Sequence, residues 1–334
     1  MKIVAVTDHV FPDIETERTL LGSAGYELRY DGNARTPEEV IRATAGADAV
    51  LNCYAPMPAE VVRTLENCVI IARYGIGVDT IDMPEATVRG ILVTNVPDYC
   101  IDEVSDHALA LILSVARGVV PLDRAVREGR WGPSTSKPLH RILGRTLGLV
   151  GFGRIARRLS EKAAALGFRV IASDPFVTVE SMAKVGVLAR DLDALLEESD
   201  VVSLHAPLTD ETFHMIGADQ FARMKDGIIL VNTSRGPLVD TDALRDALAT
   251  DRLGGVGLDV LESEPPDLDD PLLRRPDVVV TPHAAFSSVE SVAELQRKAA
   301  EQVVIALAGD MPPYALNAEA IGAVRDAAPK NEQR

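Results

Sequence analysis

Short β-branched runs alternate with helical stretches along nearly the whole of this chain, and that alternation leaves few folds open. A strand that is followed by a helix and then another strand returns in parallel, and a parallel sheet needs both faces covered. The first hundred residues carry apolar runs at Ile3–Val6, Tyr26–Tyr30, Ala49–Leu51, Val69–Ile71 and Ile91–Val93, with helical segments such as Pro37–Ala45 and Ala59–Glu66 between them. A second series begins at Thr146, with strands expected at Thr146–Val150, Arg169–Ser173, Asp200–Leu204, Gly227–Asn232, Gly254–Val260 and Asp277–Thr281.

The first series amounts to about five βα units, close to a flavodoxin-like layout, and the six strands of the second match a dinucleotide-binding domain. Between them, Asp102–Val120 reads as one long apolar helix with Asp102 as its N-cap, interrupted by Gly118 and stopped by Pro121. A last helix, Ser287–Ala308, has no place on a sheet that is already complete, so it returns to the first domain. The expected fold is α/β with two Rossmann/flavodoxin-like domains, the N-terminal one discontinuous and completed by the C-terminal helix. Residues 1–100 and 285–334 form the expected flavodoxin-like domain, and 101–284 the Rossmann domain. The polar, alanine-rich chain beyond about Gly322 reads as a disordered tail.

Composition narrows the function. With 34 basic and 50 acidic residues the formal net charge is −16, a balance that repels nucleic acid and anionic membranes. No stretch is long and apolar enough for a membrane span, and the apolar start meets Asp8 and His9 too soon for a signal peptide, so the chain is expected in the cytoplasm. Three cysteines, Cys53, Cys68 and Cys100, have neither a disulfide framework nor zinc spacing, and Cys100 reads as a structural thiol. No metal site is expected. The single Trp131 is expected to anchor a loop in the core.

Gly151-Phe152-Gly153-Arg154-Ile155-Ala156 is a G-x-G-x-x-A sequence that follows an apolar strand and opens a helix, the context that gives such a hexapeptide meaning. Gly151 permits the tight turn, Gly153 admits a pyrophosphate, Ala156 keeps helix and strand close, and the helix start at Arg154 and Ile155 offers N–H groups to phosphate. Asp174, 21 residues past Gly153, can accept bonds from both ribose hydroxyls and repels a 2′-phosphate, so NAD is the expected cofactor.

Four capable side chains, His205, Arg235, Glu264 and His283, follow the carboxyl ends of apolar strands, where ligands of open parallel sheets sit. Reduction of a keto acid needs a hydride, a proton donor and a cation for the carboxylate. A histidine supplies the proton, a neighbouring carboxylate favours its imidazolium form, and an arginine forks to an anion. His283, Glu264 and Arg235 meet those needs. His205 reads as an imidazole beside the cofactor, His107 as a packed polar residue at the domain junction, and Glu262 as the rival of Glu264. His9, His140 and His214 have no site context.

Seven segments in order resemble those of the D-isomer-specific 2-hydroxyacid dehydrogenases: Tyr74–Asp79, Thr94–Pro97, Leu147–Ala156, Leu204–Leu208, Val231–Gly236, Asp259–Pro266 and Pro282-His283. The resemblance implies that Arg235 binds and polarises the substrate, that Glu264 pairs with His283, and that His283 exchanges the proton. It further implies that the Gly75-Ile76-Gly77 amides and Arg73 hold the substrate carboxylate. Thr233 and Ser234 would line the nicotinamide pocket, Asp259 would orient the carboxamide, and His205-Ala206-Pro207 and Ala285 would border the cofactor. Within the family, Pro282–Phe286 is most similar to the C-terminal-binding-protein branch, with Phe286 on the substrate side where that branch typically has tryptophan. A homodimer through 102–131 is implied as well.

The ligand is thus expected to be a small 2-keto or 2-hydroxy acid, with glyoxylate, hydroxypyruvate and larger apolar acids all compatible. The alternative is an NAD(H)-sensing regulator or corepressor acting through protein partners. A formate-type dehydrogenase would be expected to carry glutamine at position 264.

Overall fold

A computed structural model of the protein describes residues 1–133 and 137–327. The chain divides into two compact units, Met1–Tyr99 together with the chain from Ser288 onward, and Cys100–Ser287. The expected breaks, after residues 100 and 284, shift by one and three positions. The second moves because Ala285 N–H donates to Asp259 Oδ2 (2.9 Å) and Ser287 N–H to the Ala284 carbonyl (2.9 Å), which keeps this turn in the second unit.

In the first unit, β1 (Ile3–Val6), β2 (Glu27–Arg29), β3 (Ala49–Asn52), β4 (Ile70–Arg73) and β5 (Leu92–Thr94) form a parallel sheet in the order β2-β1-β3-β4-β5. This is the flavodoxin-like order. Between the strands run α1 (Glu15–Ser23), α2 (Pro37–Thr44), α3 (Ala59–Arg63) and α4 (Met83–Val88). The start of α2 is set locally: Thr36 Oγ1 accepts the Glu39 N–H, the Glu39 carboxylate accepts the Thr36 N–H, and Pro37 stands in the first turn.

The second unit opens with α5 (Ile101–Ala116) and α6 (Val119–Arg127) where one helix was expected. Gly118, at φ +60°, breaks it, and Pro121 sits in the first turn of α6, where its missing N–H costs nothing. Cys100 rather than Asp102 flanks the start of α5, and the Asp102 carboxylate pairs with Arg158 (2.6 Å) and Lys162 (3.3 Å) instead. Trp131, expected in the core, is 91% exposed.

Next come β6 (Thr146–Val150), α7 (Arg154–Ala165), β7 (Arg169–Ser173), α8 (Val179–Ala183), β8 (Leu188–Ala189), α9 (Leu192–Glu198), β9 (Val201–Leu204), α10 (Ala218–Arg223), β10 (Ile228–Asn232), α11 (Thr241–Ala249), β11 (Leu253–Leu258), α12 (Pro271–Arg274) and β12 (Val278–Val280). The parallel sheet runs β12-β11-β10-β9-β6-β7-β8, the Rossmann order with one strand more than the six expected. The extra strand, β8, has two residues and no run that a periodicity could register.

Strand β11 carries Gly255 and Gly257 on one face, and a Cβ on either would lie 2.6 Å from Val115 Cγ1 and 2.9 Å from Leu111 Cβ respectively, so α5 lies tight against this strand. The chain then returns to the first unit. Helix α13 (Val289–Ala308), capped by Ser288 and ended by Gly309 at φ +95°, packs on α1, β3 and β4, and α14 (Ala318–Ala327) packs on α4. Part of the segment expected to be disordered is therefore helix, and residues 328–334 lie outside the described residues. Among the described residues no helix is long and apolar enough to cross a membrane.

Just past β1, the buried Asp8 carboxylate accepts N–H bonds from Cys53 (3.0 Å), Tyr54 (2.7 Å) and Ala55 (3.1 Å) and the Thr7 hydroxyl (2.7 Å). Asp8→Ala strands those buried amides, so denaturant unfolding is expected to show a loss of about 3 kcal/mol, with Asp8→Asn losing less. A loss below about 1 kcal/mol would mean that water satisfies the loop as well as the carboxylate does.

Candidate active site

The site of the second unit grows from the carboxyl ends of β6, β7, β9, β10, β11 and β12. After β6, Gly151 turns at φ +86°, and a Cβ there would stand 2.7 Å from the Ala206 nitrogen, so only glycine lets this turn close on the segment after β9. Gly153 faces open space, where a Cβ would meet nothing within 4 Å, and α7 starts at Arg154 with no side-chain cap. Arg154 is exposed, Ile155 half-buried and Ala156 buried. Asp174, just past the end of β7, accepts the Phe152 N–H (2.7 Å) at Oδ2 and the Phe176 N–H (2.8 Å) at Oδ1, which ties the glycine turn to the end of that strand.

The His205 ring is enclosed, and burial pushes its pKa down to about 4, so it is neutral through the neutral range; Ser203 Oγ lies 2.9 Å from its Nε2. That suits a packed imidazole, not an acid–base group. Ala206 is buried and Pro207 exposed. The Thr233 hydroxyl is buried and has no hydrogen-bond partner among the described residues, the kind of orphan that a bound cofactor can satisfy. An open glycine turn, an uncapped helix start, an acidic strand end and this hydroxyl together fit a dinucleotide.

After β10 the buried Asn232 builds the turn that carries Arg235. Its Oδ1 accepts the Ser234 N–H (3.0 Å), its Nδ2 donates to the Arg235 carbonyl (2.7 Å), and Ser234 Oγ donates to the Ala206 carbonyl (2.6 Å). Gly236 brings the next loop in. A Cβ there would fall 2.0 Å from the Leu261 carbonyl carbon, so Leu261–Glu264 can lie against the Arg235 turn only because this residue has no side chain.

Glu264 Oε1 accepts the Leu261 N–H (2.9 Å) and Oε2 stands 2.7 Å from His283 Nδ1. Burial works against ionisation of Glu264, but the hydrogen bond and charge of His283, the Leu261 N–H and nearby Arg235 outweigh it and hold the carboxyl below its ordinary range. Glu262 turns elsewhere, to His214 Nε2 (2.8 Å) and the Thr241 hydroxyl (2.6 Å), so geometry separates the two rival glutamates. His283 adopts φ +52°, and its N–H donates to the Asp259 carbonyl (2.7 Å). The Asp259 carboxylate, 2% exposed, accepts the Thr281 hydroxyl (2.6 Å) and the Ala284 N–H (2.9 Å) at Oδ1 and the Ala285 N–H (2.9 Å) at Oδ2. Phe286 is half-buried just past this turn.

The first unit holds its own polar loop beyond β4. Arg73 is buried, its guanidinium lies 5.4 Å from the Tyr54 ring centre, and Nη1 donates to the Tyr74 carbonyl. Gly75, at φ +143°, lies under that guanidinium, where a Cβ would meet Arg73 Nη1 at 1.4 Å. Asn95 Nδ2 holds the Ile76 carbonyl (2.7 Å). The Tyr74 hydroxyl donates to buried Glu17 (2.8 Å), whose carboxyl burial lifts above its usual value while that bond and the Gln296 amide pull the other way. The result is a buried cation beside a backbone loop in which the Gly75 N–H donates to the Arg73 carbonyl (3.0 Å).

Residues 109–285, more than half of the chain, match the family model of the D-isomer specific 2-hydroxyacid dehydrogenase NAD-binding domain. The chain belongs to this family. It is 42% identical over 286 residues to the glyoxylate reductase of Korarchaeum cryptofilum, covering 84% of this chain and 86% of that protein. It is 41% identical over 268 residues to the D-3-phosphoglycerate dehydrogenase of Archaeoglobus fulgidus, covering 80% of this chain but 51% of that one, so it spans about half that relative's length. Among solved structures, the D-lactate dehydrogenase of Aquifex aeolicus in complex with NAD and lactic acid superposes with a TM-score of 0.83 at 28% identity, over 92% of this chain and 96% of that one. This dehydrogenase is thus an NAD-dependent oxidoreductase of 2-hydroxy acids.

Several residues of the dehydrogenase site escaped the sequence reading. Asn232 and Thr281 carry the turns of Arg235 and His283, Tyr54 and Asn95 build the Arg73 loop, and His107, taken as a packing residue, bonds to Thr281 Oγ1 (2.9 Å). Only their polar character at the ends of apolar runs marked them. Among the described residues no cluster of His, Cys, Asp or Glu is arranged to hold a metal ion.

Proposed function

We propose that this dehydrogenase interconverts a small 2-keto acid and the matching D-2-hydroxy acid, with His283 exchanging the proton, Glu264 holding His283, and Arg235 binding the substrate. The observation that carries the reading is the 2.7 Å contact between His283 Nδ1 and Glu264 Oε2, on loops that adjoin the Arg235 turn. NAD, when bound, supplies the acceptor or donor of the hydride at the substrate C2. An ionised Glu264 can only accept, so Nδ1 carries a hydrogen and Nε2 is the nitrogen that serves the substrate. In reduction Nε2–H donates to the carbonyl oxygen as it becomes a hydroxyl, and in oxidation neutral Nε2 takes that proton back.

The Arg235 guanidinium draws electron density towards the carbonyl oxygen, and Arg73 with the amides of Gly75, Ile76 and Gly77 receives the carboxylate, with Phe286 packing beside the substrate. Gly151, Gly153, Arg154, Ile155, Asp174, His205, Ala206, Pro207, Thr233, Ser234, Asp259 and Ala285 serve the cofactor in this reading. The extensive likeness to a glyoxylate reductase supports a compact acid of that kind. The narrower likeness to the C-terminal-binding-protein branch rests on Pro282–Phe286 alone. A regulator acting through partners finds no support among these relatives, all three of them enzymes by name. Three free, buried cysteines agree with a reducing compartment such as the cytoplasm.

Glu264→Gln leaves an amide where His283 Nδ1 meets a carboxylate, so keto-acid reduction and hydroxy-acid oxidation are both expected to slow, by less than the loss for His283→Ala. His283→Ala is expected to lose on the order of a hundredfold to ten-thousandfold in rate. Stopped-flow rates in both directions are the check, and native rates for Glu264→Gln would dissolve the pair. Cofactor choice is tested separately: kcat/KM should favour NADH over NADPH, and Asp174→Ala should narrow the gap. Equal efficiency in the native enzyme would remove Asp174 from the ribose.

A homodimer is part of the same reading. Helix α6 buries none of its residues, and Val119 (53%), Val126 (50%) and Trp131 expose an apolar strip that suits a second copy. Light scattering at micromolar concentration is expected to give twice the chain mass, and a monomer would refute it.

A further inference from the structure

Three residues of α5, spaced four apart, form one stripe: His107, Leu111 and Val115. Three residues at the β11 end, spaced two apart, share one face of the strand direction: Gly255, Gly257 and Asp259. Four helical residues rise about 6.0 Å and two strand residues about 6.6 Å, so the two series stay in step. Val115 meets the Gly255 position and Leu111 the Gly257 position, and the third pair is His107 with Asp259, Nε2 to Oδ1 3.5 Å. The absence of side chains at two glycines thus sets where a histidine of the helix stands.

Its partners make a directed chain. The Asp259 carboxylate accepts the one hydroxyl proton of Thr281, so Thr281 Oγ1 must accept from His107, and Nε2 is the nitrogen that carries hydrogen. The same carboxylate takes the Ala284 and Ala285 N–H groups, and the Asp259 carbonyl takes that of His283. The two residues that follow His283, itself in a left-handed conformation, therefore hang from a carboxylate whose angle is set by His107 through Thr281, while the His283 N–H is held by the backbone carbonyl of the same aspartate.

We propose that His107 is a positioning residue for the reaction: through the Thr281 hydroxyl it orients the Asp259 carboxylate, which fixes the turn that aims His283. The inference rests on the reading of His283 as the proton-exchanging residue. Losing the donor at 107 leaves Thr281 free to rotate and loosens the turn, and a misplacement of about 1 Å at a reacting group costs up to about a hundredfold.

The test compares His107→Phe, which keeps a ring but no donor, with His107→Gln, and Thr281→Val with Thr281→Ser, in pre-steady-state keto-acid reduction. His107→Phe and Thr281→Val should each lower kcat on the order of tenfold to a hundredfold, with the Kd for NADH unchanged. The double variant should be no slower than the worse single one. His107→Gln and Thr281→Ser should recover most of the rate, and amide exchange at Ala284 and Ala285 should accelerate only in the variants that lack the donor or hydroxyl. A lowered melting temperature at native kcat, losses that multiply in the double variant, or unaltered amide exchange would each overturn the proposal. His283→Ala, assayed alongside, separates the two readings. If it reduces the acid at the native rate, the proton assignment fails; if it is slow while His107→Phe is not, only the role of His107 fails.

Discussion

A strand that is buried on both faces has nowhere to show chemistry except its end. Strands β3, β4, β6, β9 and β10 are buried at every residue, because helices cover both faces of each parallel sheet. Polar side chains are therefore excluded from the strand bodies and gather where the chain leaves the sheet. Asp8, Asn52, Arg73, Asp174, His205, Asn232 and Asp259 all stand at or just past a carboxyl end. The chemistry of this dehydrogenase is confined to one edge of each sheet by the same burial that makes the sheets stable.

Those edges would be loose loops but for three carboxylates, Asp8 and Asp259 buried and Asp174 half-buried. An ionised acid taken from water is costly unless each oxygen is met, and the cheapest donors nearby are backbone amides. Asp8 collects three, Asp174 two and Asp259 two together with a hydroxyl. Each aspartate exchanges its solvation for the shape of a turn: the loop with Tyr54, the glycine turn, the His283 turn. Because removal of any of these acids strands several amides at once, stability and geometry of the site are coupled at three points.

How much of this was legible depended on whether the determining contact was local. Thr146–Val150 and Arg169–Ser173 were read to the residue, since a β-branched run and its flanking turn signals lie within the same few positions. The glycine turn and the Arg235, Glu264 and His283 group were legible because strand ends in a parallel sheet converge. What failed was non-local. Trp131 is apolar, yet burial depends on what lies opposite, and among the described residues almost nothing covers it. Gly118 breaks a helix by adopting φ +60°, a conformation that the apolar pattern around it conceals. His107 looked like packing because its meaning comes from the register of α5 against Gly255 and Gly257, residues some 150 positions away. Glu262 and Glu264 are alike in type and separated by one residue; the resemblance favoured Glu264, and their different hydrogen-bond partners agree with that choice.

One tension remains between the chain's charge and its substrate. A net charge of −16 should repel an anionic acid, yet the distribution matters more than the sum. Asp226, Asp242, Asp251 and Asp269 have side chains more than four-fifths exposed, and three of them sit in surface ion pairs with Arg252, Arg245 and Arg274. Charges like these are screened beyond a Debye length of about 8 Å at physiological salt. A cation about 4 Å from a carboxylate, in an environment of effective dielectric about 20, attracts it by about 4 kcal/mol. Arg73 is buried, with Tyr54 and Gly75 around its guanidinium, and Arg235 is half-buried, so both stand in that regime while the acidic surface does not. Close to either cation the local charge outweighs the remote anions, and the acidic exterior acts mainly against larger polyanions, whose many charges it meets together.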